Sequence, residues 1–516
     1  MIKCIHNLPK KSIIKFDTHV HQMQLVAIDN IIKPCYDKIL NFVYFSTMKM
    51  PYFLLLGLLL AQQADADYSL LDAQKQLMSS SPAIQASHAL YQADVLQAES
   101  LQKLHYPRIS LNAHAFALQQ NSSIPLDNIK EQTAQHINTH FDHRFGNAPD
   151  GLLDALHDST QTALDRLPDH QDVKLRHDGI TPNITATMPI YTGGLISSSK
   201  NIANLQAQRG KFGLQERISL AKLNLIRHYF NVQLQKQLTD TQQNTLSAMQ
   251  LHVDNAYKLE QQGFISRGQR MQFEVARNQV QRLYQSTQNQ HQNSIYELAV
   301  LLGLPHIEPL STPLFINTQH RPSWQALLKD SQNTPLNQKL KTDILLADEN
   351  IALRQSTKKP KIAAVARYTL DDKPDWFAGV TVQYNLFSGI DRDKQIRAAH
   401  LQKQAAQLGH EQVNEHITTT MHTAYGEMVL AQKTHALLQQ NHRAAKENLR
   451  IQTLSFQEGF GTVAGVVDAQ SALSQIDSET ALNAYRYLLA LATLLHHTGT
   501  IDDFDDYLSL DDAHKL

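Results

Sequence analysis

The chain contains one sequence unit twice. Residues 188–303 recur as residues 384–499 at a constant offset of 196, and no gap is needed over about 116 residues. The matching glycines are Gly193 with Gly389, Gly263 with Gly459, and Gly303 with Gly499. Each copy begins with a few alternating residues, turns at a glycine and continues as a long helical pattern that contains a Gly-Phe pair. This register restricts the chain to one architecture built from two similar halves.

Composition excludes several classes of protein. Charged residues make up 18% of the chain and the net charge is -1, so the basic excess of a nucleic-acid surface is missing. The sequence contains no nucleophile elbow, phosphate loop or zinc-protease signature, so neither an enzyme nor a bound cofactor is predicted. Both cysteines, Cys4 and Cys35, precede the export signal described next. The mature chain is therefore expected to have no disulfide, no thiolate metal site and no lipid-modified cysteine.

An export signal is predicted at residues 48–66. A positive start at Met48-Lys49-Met50 precedes an apolar run of about ten residues and a small-x-small cleavage site at Ala64-Asp65-Ala66. The run is well short of the roughly 20 residues that span a bilayer, which favours cleavage over anchoring. Residues 1–47 then form a non-structural upstream extension, and the mature chain begins at Asp67.

Prolines define the remaining boundaries. Pro335 and Pro360 follow Pro82 and Pro107 by 253 residues, so the first half carries an insertion of 57 residues, within 119–179. We assign residues 67–303 to the first repeat and residues 335–499 to the second. A linker or equatorial segment, 304–334, joins them, and an acidic C-terminal tail, 500–516, follows.

Each repeat also contains two amphipathic strands of about ten residues. Ile109, Leu111 and Ala113 alternate with Ser110 and Asn112, and similar alternation precedes Gly193, follows Pro360 and precedes Gly389. This pattern fits a membrane β-barrel wall, with its apolar face toward lipid and its polar face toward water, and it equally fits a half-buried soluble sheet. Four strands are too few to close a membrane barrel, so the first interpretation requires several chains to share one barrel.

The helical segments favour the shared barrel. Residues 195–262 contain no proline and would form a helix of about 100 Å, although Gly213 and Gly409 interrupt the pattern. Residues 264–302 and 460–498 would return antiparallel from the Gly-Phe turns. One such hairpin cannot bury its apolar stripes alone, so neighbouring hairpins in a coiled-coil or α-barrel arrangement are expected.

Two motifs lead to a known family. Met188-Pro-Ile-Tyr-Thr-Gly-Gly194 and Tyr384-Asn-Leu-Phe-Ser-Gly-Ile390, followed by long helices and closed by Tyr296-Glu-Leu-Ala-Val-Leu-Leu-Gly303, resemble the TolC family of outer-membrane efflux proteins. The resemblance covers residues 67–499. It implies a mainly α fold with a small β part, in which two tandem repeats form long antiparallel helical hairpins of an α-barrel tunnel. Four strands from each chain would enter a shared trimeric β-barrel in the outer membrane, with the helices in the periplasm.

The resemblance also implies functional positions. Gly193, Gly194 and Gly389 would form the strand-to-helix turns. The helical tips that dock on a periplasmic adaptor would be Gly263, Phe264 and Ile265 with Gly459, Phe460 and Gly461. The two aspartates that narrow the family's periplasmic aperture correspond to Gly465 and Asp468, of which only Asp468 is acidic. The family's latching positions are Gly461 and Gln269 here, so a loosely latched entrance is expected.

Two charged or polar segments admit other interpretations. His136, His140 and His143 would share one face of a helix, which is a weak candidate for a divalent metal site against the alternative of a solvated outer loop. The aspartates at 502, 503, 505 and 506 could attract cations. A solvated tail, or a cap on the middle girdle of the tunnel, is favoured instead.

We therefore predict a homotrimeric exit duct in the outer-membrane lipid that works with a periplasmic membrane-fusion (adaptor) protein and an inner-membrane transporter. The alternative is a periplasmic coiled-coil adaptor without a pore, which would have one helical hairpin flanked by soluble β-domains. A passive duct needs no substrate-shaped pocket. Drug efflux, metal efflux and type I protein secretion all remain open.

Overall fold

The computed structural model describes residues 68–146, 151–371, 374–387 and 389–516. The predicted upstream extension and signal peptide, residues 1–66, lie outside these residues.

The described residues form helices, a four-stranded sheet and a two-stranded sheet. In chain order the elements are α1 Leu70–Ser80, α2 Pro82–Ser100, β1 Arg108–Pro125, α3 Asp127–Phe145, α4 Leu152–Asp165, β2 His170–Tyr191, α5 Leu195–Gln261, α6 Arg267–Leu302, β3 Phe315–Asn317, α7 Trp324–Ser331, α8 Pro335–Ser356, β4 Lys361–Thr369, β5 Trp376–Gln383, α9 Arg392–Gln457, α10 Val463–Thr498, α11 Phe504–Leu508 and β6 Ala513–Lys515. A short 3₁₀ helix, Ile501–Asp503, precedes α11. The predicted mainly α fold with a small β part is confirmed.

Two helices dominate the molecule. α5 has 67 residues and α9 has 66, so each is about 100 Å long at 1.5 Å per residue. The predicted interruptions at Gly213 and Gly409 are wrong, because both helices continue through these glycines. A glycine inside a helix costs about 1 kcal/mol relative to alanine, which packing along such a long helix outweighs.

Return helices complete two antiparallel hairpins, α5 with α6 and α9 with α10. Within the described residues, we find no helix whose apolar stretch is long enough to cross a membrane.

The larger sheet has the strand order β1-β2-β4-β5, and all of its pairs are antiparallel. The second hairpin has strands of 9 and 8 residues, as expected, whereas β1 and β2 have 18 and 22. The prediction of four strands of about ten residues is therefore wrong for the first repeat. The insertion contributes the extra strand residues.

The insertion is not the solvated loop that the sequence suggested. After extending β1 and β2 it forms a helix pair, α3 and α4, which stands at the end of the sheet opposite the long helices. Lys130 Nζ fixes the base of this pair by donating to the Leu167 carbonyl at 2.6 Å and to Asp169 Oδ1 at 2.7 Å.

A compact girdle lies at the middle of the long helices. There β3 pairs with β6, and Phe230, Phe315 and Phe504 pack with ring centroids 5.8–6.2 Å apart. Buried Asn317 donates to the Tyr507 carbonyl and accepts from the Tyr487 hydroxyl, both at 2.9 Å. Burying these rings and satisfying this amide holds the middle of the hairpins together.

Residues 500–516 belong to this girdle and are not a solvated tail. Ile501 and Phe504 are 4% and 1% exposed, while Asp502 forms an ion pair with Lys222. Gln74 Nε2 donates to Asp505 at 3.3 Å. The aspartates lie on the outer side of a folded segment, which agrees with the alternative of a cap on the girdle.

Candidate functional site

The four-stranded sheet has one apolar and one polar face, and the strand register keeps them continuous across all four strands. Leu111 is opposite Ile184, which is opposite Tyr368, which is opposite Trp376. The apolar face is the exposed one: Ile109, Val380 and Val382 are 73%, 63% and 66% exposed. A soluble sheet buries its apolar face, so this arrangement is inverted.

Hydrogen bonds link the side chains of the polar face. Asn183 is 6% exposed, and its Oδ1 accepts from Thr185 Oγ1 at 3.1 Å and from Asn112 Nδ2 at 3.5 Å. Asn112 Nδ2 also lies 3.3 Å from Ser110 Oγ as a donor. The better-packed face is therefore the polar one, as expected where that face is concave and lines water.

Glycines lie in the turns between the sheet and the long helices. Gly193, Gly194 and Gly389 have φ of 68°, 99° and 70°, which side chains disfavour. A Cβ on Gly193 would also lie 2.6 Å from the Cβ of Lys359. A larger residue at Gly193 would thus be disfavoured both by the positive φ and by the clash with Lys359.

The two helical tips close with the same pair of backbone hydrogen bonds. Gly263 and Gly459 both have φ of 79°, and the next residue closes each turn: Phe264 N–H donates to the Leu259 carbonyl and Phe460 N–H to the Ser455 carbonyl, both at 2.9 Å. These are Schellman-type helix ends. The return helices then begin at capping residues, Ser266 and Thr462.

Both tip phenylalanines point away from the protein. Phe264 is 75% and Phe460 is 91% exposed, while Ile265 is partly buried against Phe273 and its neighbours. Neither phenylalanine packs back on its own hairpin. A large apolar side chain held in solvent at a rigid turn is a candidate contact for a partner.

Side chains that the sequence did not single out hold the two tips together. Phe273 of α6 packs edge-to-face on Phe456 of α9 at 5.3 Å, within a cluster that includes Val463 and Val466 of α10. Arg270 pairs with Glu260 across the first tip at 2.5 Å and with Glu274 on its own helix. The phenylalanines match no repeat position, and only their helical spacing from the tips could have indicated this role.

The predicted aperture residues lie on α10, just after the second tip. Asp468 is exposed. A Cβ on Gly465, one turn earlier, would lie 2.7 Å from Oε1 of the flexible Gln452 side chain of α9. The Gln269 side chain caps the start of its own helix, since its Oε1 accepts from Ser266 N–H at 2.8 Å. A Cβ on Gly461 would lie 2.6 Å from the Phe456 backbone nitrogen.

His136, His140 and His143 lie on α3, exposed to solvent. In the described part of the chain no three or more His, Cys, Asp or Glu side chains form a group that could hold a metal ion. Asp142, which lies off the histidine face, instead pairs with His157 of α4 at 3.0 Å.

Two further histidines lie where α10 ends, of which His496 is buried and His497 is partly buried. His496 Nδ1 lies 2.8 Å from Ser219 Oγ, and its ring is 4.9 Å from that of His497. Burial lowers the pKa of His497 to about 4, and the charges of His496 and His416 act in the same direction. These imidazoles are therefore neutral near pH 7.

Comparison with known proteins identifies the fold. Residues 332–500 match the family model described as outer membrane efflux protein. Searching the curated proteins returned no match. Among solved structures, VceC from Vibrio cholerae is 14% identical with a TM-score of 0.65, over 83% of this chain and 96% of that one.

Two further structures give similar values. The open state of the MtrE outer membrane channel from Neisseria gonorrhoeae is 15% identical, with a TM-score of 0.63 over 84% of this chain and 90% of that one. The CmeC outer membrane channel from Campylobacter jejuni is 9% identical, with a TM-score of 0.65 over 84% and 86%. The family match over residues 332–500 and the shared fold confirm the resemblance to the TolC family.

Proposed function

We propose that this chain, which has the fold of the outer-membrane efflux channels and matches their family over residues 332–500, forms the trimeric exit duct of a tripartite efflux or type I secretion system. It would conduct cargo passively from an inner-membrane transporter, through a periplasmic adaptor, to the outside.

The inverted sheet carries this proposal. Its exposed apolar face requires an apolar medium, which the outer-membrane lipid supplies. β1 and β5 are the edge strands of the sheet, and each has one side without a partner in the described chain. Pairing β5 of one copy with β1 of the next would remove these edges, and three copies would close twelve strands.

The long helices support association in the same way. Leu401 and Leu408 of α9 are 65% and 56% exposed, and Leu430 and Leu437 are 63% and 60% exposed. Each pair is seven residues apart, the spacing of a coiled-coil seam. A single chain leaves this seam uncovered, whereas neighbouring copies around a tunnel would bury it.

The helical tips fit the docking site of an adaptor. Phe264 and Phe460 are presented on turns fixed by the same backbone bonds, and the cluster around Phe273 holds the two tips side by side. Rigid, exposed aromatic side chains lose little conformational entropy when a partner covers them.

Asp468 fits a charged ring at the periplasmic entrance. In a trimer three such carboxylates would converge near the axis, where like charges attract multivalent cations. Gly465 adds no side chain to the ring. Gly461 and Gln269 supply no latch, so the entrance would open with a small energetic input.

The pore-free adaptor is less compatible with the structure. An adaptor would have one helical hairpin and soluble β-domains, whereas this chain has two hairpins of nearly equal length and an inverted sheet.

Membrane fractionation, native size determination and planar-bilayer recording test the proposal. We expect the protein in the outer-membrane fraction as a heat-modifiable trimer that conducts ions. Recovery as a soluble periplasmic protein, or as a membrane trimer without conductance, would contradict the duct.

A further inference from the structure

The first strand hairpin extends far beyond the second. Pairing of β2 with β4 ends at Asn183 and Thr369, whereas pairing of β1 with β2 continues to Pro125 and His170. The extension is about 13 residues, or roughly 40 Å at 3.3 Å per residue. It carries the α3–α4 pair at the end of the sheet opposite the long helices.

The two helices of this pair present opposite chemistry on their outer flanks. α3 packs on α4 through Lys130, Ala134 and Phe141, which leaves His136, His140 and His143 exposed on the side away from α4. On α4, Thr160 faces the seam between the helices. Asp154, Asp158 and Asp165 are exposed and share one face, since they are four and seven residues apart. One flank of the pair is therefore a histidine face and the other an acidic face.

The width of barrel wall that each chain contributes determines how closely neighbouring α3–α4 pairs lie. Four strands about 4.8 Å apart and tilted by about 40° give each chain roughly 25 Å of barrel wall. Two helices side by side, each 10–12 Å across with side chains, occupy about 20–24 Å. Where the extended hairpins continue along the barrel wall, three helix pairs of this width would stand edge to edge.

We propose that the α3–α4 pairs of three copies form a ring across the outer mouth of the duct, in which the histidine face of one copy contacts the acidic face of the next. The ring rests on the trimer of the proposed function. Rotational symmetry requires this head-to-tail order, because the α3 edge of each copy meets the α4 edge of its neighbour.

The levels of the charged residues match around such a ring. The contacts Asp142–His157 and Lys130–Asp169 show that residue 142 of α3 lies near the level of residue 157 of α4, and residue 130 near 169. Because the two helices are antiparallel, the residue number at a given level falls by one on α4 for each residue gained on α3. This places Asp158 within one residue of the level of His140. Asp154 comes within two residues of His143, and Asp165 within two residues of His136. At about 1.5 Å per residue, these offsets are within 3 Å.

The chemistry of the contact is a row of imidazole–carboxylate hydrogen bonds. Imidazole N–H groups donate to carboxylates in both protonation states, and a protonated imidazole adds opposite charge. Without a partner, the acidic face is a row of like charges. Against the histidine face, each carboxylate becomes a hydrogen-bond acceptor that faces an imidazole N–H donor.

Cysteine cross-linking of the full chain tests the ring. Cys4 and Cys35, the only cysteines of the chain, are first replaced by serine. His140→Cys with Asp158→Cys places two thiols on the matching level of neighbouring copies, while the opposite flanks of one pair are too far apart for an internal disulfide. The control, His143→Cys with Asp165→Cys, uses the same two faces about nine residues, or roughly 14 Å, out of register.

After oxidation in isolated membranes, the matched pair should give covalent dimers and trimers, at least tenfold more than the control pair or either single variant. Trimers on native gels without this cross-link would overturn the ring and leave the duct intact. Equal cross-linking of matched and control pairs would show mobile helix pairs and would also overturn it. Loss of trimers already in the cysteine-free chain would contradict the proposed function itself.

Discussion

Acidification should destabilise the folded chain through His497. This histidine lies at the end of α10, where burial lowers its pKa to about 4. In the unfolded chain an imidazole has a pKa of about 6.5. Between these two values the unfolded state binds a proton that the folded state does not.

The sign and the size of the effect follow from this difference. Above about pH 6.5 both states are neutral at His497, so the folded chain carries no penalty. As the pH falls from 6.5 to 4, stability is lost by about 1.4 kcal/mol per unit, and the loss levels off at about 3.5 kcal/mol below pH 4. Lowering the pH from about 7 to about 4.5 should therefore cost about 2.5 kcal/mol per chain from this group alone.

Urea unfolding of purified protein in detergent, followed by circular dichroism at both pH values, measures this cost. His497→Gln removes the titrating group, so the variant should lose about 2.5 kcal/mol less than the wild type on acidification. His400→Gln, at an exposed histidine of α9, is the matched control and should follow the wild type. If His497→Gln and the wild type lose equal stability, the neutral buried imidazole is not the cause.

Three further predictions concern the duct. Phe264→Ala combined with Phe460→Ala should abolish adaptor cross-linking and efflux in a stable trimer, because both side chains are exposed at the tips; unchanged cross-linking would reject the docking role. Val382→Arg should cost roughly 2–4 kcal/mol on the lipid face and reduce assembled trimer, whereas Gln383→Arg on the polar face should have little effect; equal losses would mean that the faces are wrongly assigned. Asp468→Ala should weaken cation preference and remove block by trivalent cations applied from the periplasmic side of planar bilayers, and a persisting block would exclude Asp468 from the aperture.

Local backbone chemistry explains what the sequence predicted well. The repeat offset located both Gly-Phe turns because a tight reversal after a long helix needs a positive φ, which glycine supplies, as at Gly263 and Gly459. Alternation with period two located the two faces of the sheet, because neighbouring side chains in a strand point to opposite sides.

Long-range packing explains what it missed. Gly213 suggested a break because local propensity is visible in sequence, while the packing that overrides it is not. The insertion has few apolar residues, so its helices gave a weak periodic signal. The aspartates around Phe504 suggested a tail, although Ile501 and Phe504 are three residues apart on the buried side of a short folded segment. The functional roles of the tips, the turns and Asp468 stay predictions.

The pairing of β3 with β6 has a consequence for how the chain is made. Phe315 pairs with Lys515, so about 200 residues must be present before the girdle can close. The hairpins need only local contacts and can form earlier, because closing short loops costs less entropy. Chains that are still folding would thus hold two formed hairpins before the girdle closes, with their leucine stripes exposed. Pulse-labelled hydrogen exchange during refolding should accordingly show the amides of residues 315–317 protected after those of the hairpins.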